Sequence, residues 1–160
     1  AALTLTAILR TLIGMVPAAL LAIPLFGVSI FKIGLPLISL LLSLYIFGIT
    51  LGLFVSAGLI RFGPSFENIA WSSLFLLAPL GCIYYPIEIL PNFFQIIAKC
   101  LPLVYIFDET RNILINGFVN YENLKQAFFL NLVYLTFGIG LFYLSFLKAR
   151  IKGTLINMGE

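Results

Sequence analysis

The chain has 160 residues, of which 62% are hydrophobic and 9% charged, with no histidine and a net charge of +3. A protein of this size has no core large enough to hide so many Leu, Ile and Phe side chains, so an ordinary water-soluble domain is excluded and lipid is the expected solvent for much of the surface. The few Lys and Arg residues form no basic stripe, so no nucleic-acid partner is expected.

A helix that crosses a bilayer needs about 20 mostly apolar residues, and four segments meet that test. The first covers 12–31, between Arg10 and Lys32. Pro17 and Pro24 are seven residues apart and share a face, which predicts a kinked helix. The second covers 35–60 and is stopped by Arg61. Gly48, Gly52 and Ser56 recur every four residues, a small-residue stripe where another helix can approach, from this chain or from a second copy. Residues 61–68 form a polar link, in which Gly63 and Pro64 break the helix and Ser65, Glu67 and Asn68 suit the cap of the next one.

The third span is predicted over 69–84. Trp71 near its start suits a membrane interface. Pro79 and Gly81 interrupt its far half and predict a short or bent helix. Ser72 and Ser73 are read as hydroxyls bonded to backbone carbonyls.

From Tyr84-Tyr85-Pro86 onward the pattern changes. Leu90-Pro91 leads into an amphipathic run over 92–100, with Phe93, Phe94, Ile96, Ile97 and Cys100 on one side and Gln95 and Lys99 on the other. It is too short to cross a membrane, and Pro102 is read as its end. A second short helix is predicted over 104–116, with Gly117 as its stop. Asp108 and Glu109 are placed in its early turns, where the dipole favours negative charge, and Asp108 is within reach of Arg111 or Asn112. Irregular backbone survives at membrane depth only where protein or a water-filled cavity satisfies it. Residues 86–117 are therefore predicted to form a re-entrant hairpin beside a transport path.

Residues 119–125 form a polar link, and the fourth span is predicted over 127–147. Gly138 and Gly140 permit close packing there, and Lys148, Arg150 and Lys152 follow at once. The expected fold is all-α: a polytopic membrane protein forming a single transmembrane domain over 1–160, with four transmembrane helices plus a re-entrant outer helical hairpin. The basic cluster after the fourth span places Arg61 and the C-terminus in the cytoplasm and the hairpin outside. Cys82 and Cys100 are read as buried free thiols, with a bridge conceivable if both face an oxidising compartment. Ala1 is preceded by no Met or signal-peptide pattern, and the chain reads as a fragment lacking its upstream part or, as the second choice, as a processed form.

The order Arg61-Phe-Gly, Ala70-Trp71, Ala78-Pro79-Leu80, Tyr85-Pro86, Leu90-Pro91, Leu101-Pro102 and Arg111 resembles the C-terminal half of an ABC-2 type transporter permease. The resemblance implies that the four spans correspond to the third to sixth helices of a six-helix permease. It implies pairing with a second permease copy, docking on an ABC ATPase subunit, and residence in the bacterial cytoplasmic (inner) membrane, in contact with its lipids. The chain has no G-x-x-x-x-G-K-[ST] phosphate loop. ATP and Mg are thus expected on the partner, with no cofactor and no enzymatic activity on this chain.

The candidate substrate path or outer gate comprises Tyr84, Tyr85, Pro86, Glu88, Pro91, Pro102, Asp108, Glu109 and Arg111. The tyrosines suit an aromatic exit or an interfacial belt. Glu88 suits a gate or a solvated loop. The Asp108, Glu109 and Arg111 cluster suits a structural salt bridge or a contact to a polar substrate or lipid headgroup, because charge at the bilayer centre is costly. No catalytic or metal-ligating constellation is predicted. The rival readings are an ion-coupled secondary transporter, a lipid-acting enzyme and a structural subunit.

Overall fold

The computed structural model describes residues 34–152, together with isolated helical positions between Thr6 and Pro24. But for those positions, the predicted first span over 12–31 and its kink lie outside the described residues. Every regular element described is helical. They are α1 (Pro36–Phe62), α2 (Phe66–Leu80), a 3-10 turn (Ile87–Ile89), α3 (Asn92–Lys99), α4 (Pro102–Asn116) and α5 (Tyr121–Lys152).

Pro36 opens α1 in its first turn, where a missing N–H costs nothing. Gly63, at φ 77°, closes it and donates its N–H to the Leu59 carbonyl. Helices α1 and α5 are each long and apolar enough to cross a membrane, with mean hydropathies of 2.3 and 1.8. The core helix of a soluble protein would be mostly buried. Here 22% and 17% of the apolar windows are buried. Helices that are apolar nearly all round and hide so little are compatible with a membrane protein.

The two long helices run parallel. Leu40 shares a buried cluster with Ala127, Ser43 meets Asn131, Phe47 meets the Tyr134 ring edge-on at 6.4 Å, and Gly138 lies beside Thr50 and Leu53. Residue numbers rise together along both helices. Arg61 at the end of α1 therefore shares an end of the molecule with Lys148 and Arg150 on α5.

Parallel helices joined in one chain require a return, and α2 makes it. It starts against α1 at Gly58, where an added Cβ would fall on the Phe66 ring. It ends against α4 at Gly81, where a Cβ would stand 2.9 Å from Leu103 Cδ1. Its 15 residues extend about 22 Å, short of the roughly 30 Å of a bilayer's hydrocarbon core. The helix stops at Leu80, one residue past Pro79, so the third segment is shorter than its apolar run. Ser65 precedes α2 in helical conformation and makes no side-chain cap bond, contrary to the capping expected there. Glu67 instead accepts a long bond from Trp71 Nε1 at 3.5 Å. Ser72 and Ser73 donate to the Asn68 and Ile69 carbonyls at 2.9 and 2.8 Å, as expected.

The remaining elements gather at the starting ends of α1 and α5. Ile106 and Ile113 of α4 pack with Leu40 and Ala127. Ala98 of α3 packs with Cys82 and Val104. Pro102 opens α4 instead of closing the helix before it, and it is buried. Because α4 starts two residues before the predicted boundary, Asp108 and Glu109 fall mid-helix and outside its first turn. Gly117 takes the left-handed conformation, at φ 74°, and donates to the Ile113 carbonyl, ending α4 as predicted.

Candidate functional site

The predicted charged cluster is assembled at the mouth of the α1–α5 pair, where residues from three segments meet. Glu109 is fully buried. Its Oε1 accepts the backbone N–H of Asn120 at 2.7 Å, and its Oε2 accepts Nδ2 of Asn123 at 3.1 Å. Both donors belong to the start of α5. A helix N-terminus carries unpaired N–H groups and a positive partial charge, so a carboxylate there is stabilised. The dipole that Glu109 meets is thus that of α5, not of its own helix. Asn120 Oδ1 accepts the Glu122 N–H at 3.0 Å, which satisfies a further donor of the same turn.

Asp108 lies on the solvent side of this centre, nearly half exposed. It receives Asn123 Nδ2 at 3.4 Å and stands 3.6 Å from Arg111 Nη1. A partly exposed pair at that distance contributes little. Arg111 makes its closer bond to backbone, Nη2 to the Cys82 carbonyl at 3.1 Å, and its Nη1 is buried without a hydrogen bond. Cys82 is itself left-handed, at φ 54°, a conformation costing a non-glycine residue about 1–2 kcal/mol. The turn is fixed from both sides. The Cys82 N–H donates to the Pro79 carbonyl at 3.1 Å, Tyr85 Oη donates to the same carbonyl at 2.9 Å, and Arg111 holds the Cys82 carbonyl.

The other predicted residues divide between this network and its rim. Tyr85 belongs to the turn, whereas Tyr84 is 79% exposed and Glu88 is exposed. Pro86 and Pro91 stand in extended backbone just before the 3-10 turn and α3. Tyr105 Oη donates to the Lys99 carbonyl at 3.0 Å, tying α4 to the end of α3. Burial pushes the Tyr105 phenol above its usual range, and negative charge on the nearby Cys100 would add to the effect. Cys82 is buried and Cys100 exposed, and both are free. The expectation of two buried thiols is corrected at Cys100.

Sequence reading missed Asn120, Asn123 and Asn131. The Asn-x-x-Asn spacing at 120 and 123 was a readable helix-start signal. Asn131 is a lone amide in an apolar run, and such residues face protein partners when they occur in membrane helices. It is fully buried, and its Nδ2 donates to both the carbonyl and the Oγ of Ser43, at 2.9 and 2.7 Å. Its Oδ1 has no donor among the described residues. Further along α5, a shallow apolar depression of about 560 Å³ is lined by Leu132, Thr136, Phe137, Gly140 and Leu144, all on that one helix.

No family model matches the chain, and neither a curated protein nor a solved structure does.

Proposed function

We propose that the chain is the membrane-embedded permease part of an ATP-driven exporter of the ABC-2 type, resident in the bacterial cytoplasmic membrane as a multi-pass protein. The observation that carries this reading is the behaviour of residues 81–120. They break after α2, form two short helices, and pack through Ile106 and Ile113 on Leu40 and Ala127, near the starting ends of two parallel apolar helices. Broken helices packed on one end of a bundle suit a gate. In this reading α1, α2 and α5, with the segment over 12–31, are four crossings, and α3 with α4 is the re-entrant outer hairpin. Exposed Tyr84 and Glu88 stand on its rim. The buried Glu109 and the partly buried Arg111 hold it to α5 and to the α2 turn. A partner ATPase binds and hydrolyses ATP with Mg, paired permease copies rock against each other, and the hairpin opens a path outward by alternating access.

The test is purification of the full-length protein from its native membrane. Co-purification of an ATPase subunit, with nucleotide-dependent transport in vesicles, is the expected outcome. Transport sustained without a nucleotide-hydrolysing partner overturns the proposal. One observation favours a second reading, ion-coupled transport, namely the fully buried carboxylate of Glu109. Both its oxygens are engaged by asparagine donors, which suits a structural role better. Loss of proton or sodium coupling in Glu109→Gln, with the fold intact, would transfer the argument to that reading.

A further inference from the structure

Helix α2 is held at its two ends and almost nowhere between them. At its start the Phe66 ring occupies the space that a Cβ on Gly58 would need, and it stacks on Phe62 with 5.7 Å between ring centroids. The Arg61 guanidinium lies over the Phe62 ring, 5.4 Å from its centroid. The link is tight as well, the Phe66 N–H donating to the Gly63 carbonyl at 3.1 Å and the Glu67 N–H to the Pro64 carbonyl at 3.0 Å. The last turn of α1 and the first turn of α2 thus form one block. At the far end Leu103 of α4 fills the space beside Gly81, and the Cys82 carbonyl accepts from Arg111 Nη2. Between these two blocks every residue over 67–76 is exposed except Ala70.

A helix packed along its length shares any displacement with its neighbours. Helix α1 is of that kind, seated on α5 through Ser43, Phe47 and Thr50. A helix touched only at its ends behaves otherwise. Its ladder of backbone bonds keeps it stiff, and what moves one end moves the other. The 15 residues of α2 hold the two blocks about 22 Å apart. Pro79, in the last turn, removes one ladder bond and is where the rod would bend. What it meets there is a turn under strain. Cys82 is left-handed, and such a conformation persists only while its surroundings impose it.

We infer that α2 is a stiff strut that carries displacement from the Arg61–Phe62 end of the molecule to the Cys82 turn, and through Leu103 and Arg111 to α4. The inference uses contacts within the chain alone and stands whether or not the chain serves an exporter. A pull on the Arg61 end loosens the turn at the mouth while the α1–α5 seam stays as it is.

Cys82 is a reporter already in place. It is 1% exposed, so a maleimide reaches its thiol only when the turn opens, and the labelling rate follows the open population. A Cys100→Ser background leaves it the one thiol in these 160 residues. Phe66→Ala empties the Gly58 contact at the opposite end of α2. The expected result, in the full-length protein in detergent, is labelling of Cys82 about fivefold faster or more. Phe66→Leu, which keeps part of the contact, should give a smaller acceleration in the same direction. Phe47→Ala removes a buried ring from the α1–α5 seam and should leave the rate within about twofold. Ser72→Gly with Ser73→Gly softens the exposed middle of α2 and should cut the Phe66→Ala effect to less than about half. An unchanged rate in Phe66→Ala overturns the inference. Equal acceleration by Phe47→Ala also overturns it, because the whole fold then loosens together. A full Phe66→Ala effect in the glycine pair overturns it too, since the signal then runs outside α2.

Discussion

Helices α1 and α5 meet mainly through apolar side chains, with one buried polar pair, Asn131 on Ser43. Residues 81–120 pack through apolar clusters as well, and polar bonds are added to that packing. There a chain of polar bonds runs from the Cys82 carbonyl through Arg111 and Asp108 to Asn123, and through Glu109 to the Asn120 N–H. A long helix satisfies its own backbone, so a pair of them needs few bonds from elsewhere. Short helices and tight turns expose many terminal donors and acceptors for each residue they contain. Where lipid is the alternative solvent, apolar contact gives little net drive for association, and satisfying those groups decides where the short elements settle.

The contrast can be broken most severely at Glu109. Glu109→Leu removes the acceptor for the Asn120 N–H and one of two acceptors for Asn123 Nδ2, both part-buried bonds, and a carboxylate hydrogen bond lost there costs about 1–3 kcal/mol. Thermal unfolding in detergent should show the largest drop of any substitution considered for this chain, and limited proteolysis should open the 81–120 segment first. Glu109→Gln keeps one acceptor oxygen and should lose less. Equal stability of Glu109→Leu and the parent would mean that the bonds at the mouth do not hold the short elements.

The next effect is steric and lies at the opposite end. Gly58→Ala places a methyl on the Phe66 ring, and overpacking of this kind costs about 1–3 kcal/mol. Phe66→Leu should recover much of the loss in the double variant. Failure of that rescue would show that α2 is not seated on Gly58.

Much of the long-helix architecture was legible in the sequence because it is written in hydropathy. The second span, read over 35–60, is helical over Pro36–Phe62. The fourth, read over 127–147, is helical over Tyr121–Lys152. There the reading followed the apolar stretch, whereas helical hydrogen bonds continue through Glu122, Lys125 and Arg150 without needing apolar side chains. Pro102 was read as a stop and acts as a start, since a proline fits either role and only the neighbouring backbone decides between them. The cluster at Asp108, Glu109 and Arg111 was visible as a charge-rich point. Its partners were not, because they depend on the left-handed turn at Gly117 that folds α5 back onto α4, and on the Cys82 turn 29 residues away from Arg111.

A smaller effect is expected at the single polar pair of the long helices. Asn131→Leu keeps the volume and removes two bonds to Ser43. Interhelical bonds of this kind average about 0.6 kcal/mol and reach about 1.7 in membrane proteins. A double-mutant cycle with Ser43→Ala, read by unfolding in a graded detergent series, should return a coupling within that range. No coupling would mean that apolar packing alone sets the α1–α5 register.

The smallest effect is expected at Gly48 and Gly52, which lie on a different face of α1 from Gly58 and are exposed where Gly58 is buried. Gly48 and Gly52 have no atom within 4 Å of an added Cβ, in contrast to Gly58 one to three turns further on. Gly48→Ala and Gly52→Ala should therefore cost no stability in the isolated chain and should add up to about 0.5 kcal/mol through helix propensity. The same substitutions also sharpen the sequence expectation of close helix approach along the stripe of Gly48, Gly52 and Ser56. If α1 packs on a second copy through Gly48 and Gly52, the alanine variants will shift the molecule to a smaller oligomer in light scattering while leaving the monomer no less stable. If oligomer size is untouched and stability does not fall, the stripe makes no close helix contact, unlike Gly58 against Phe66.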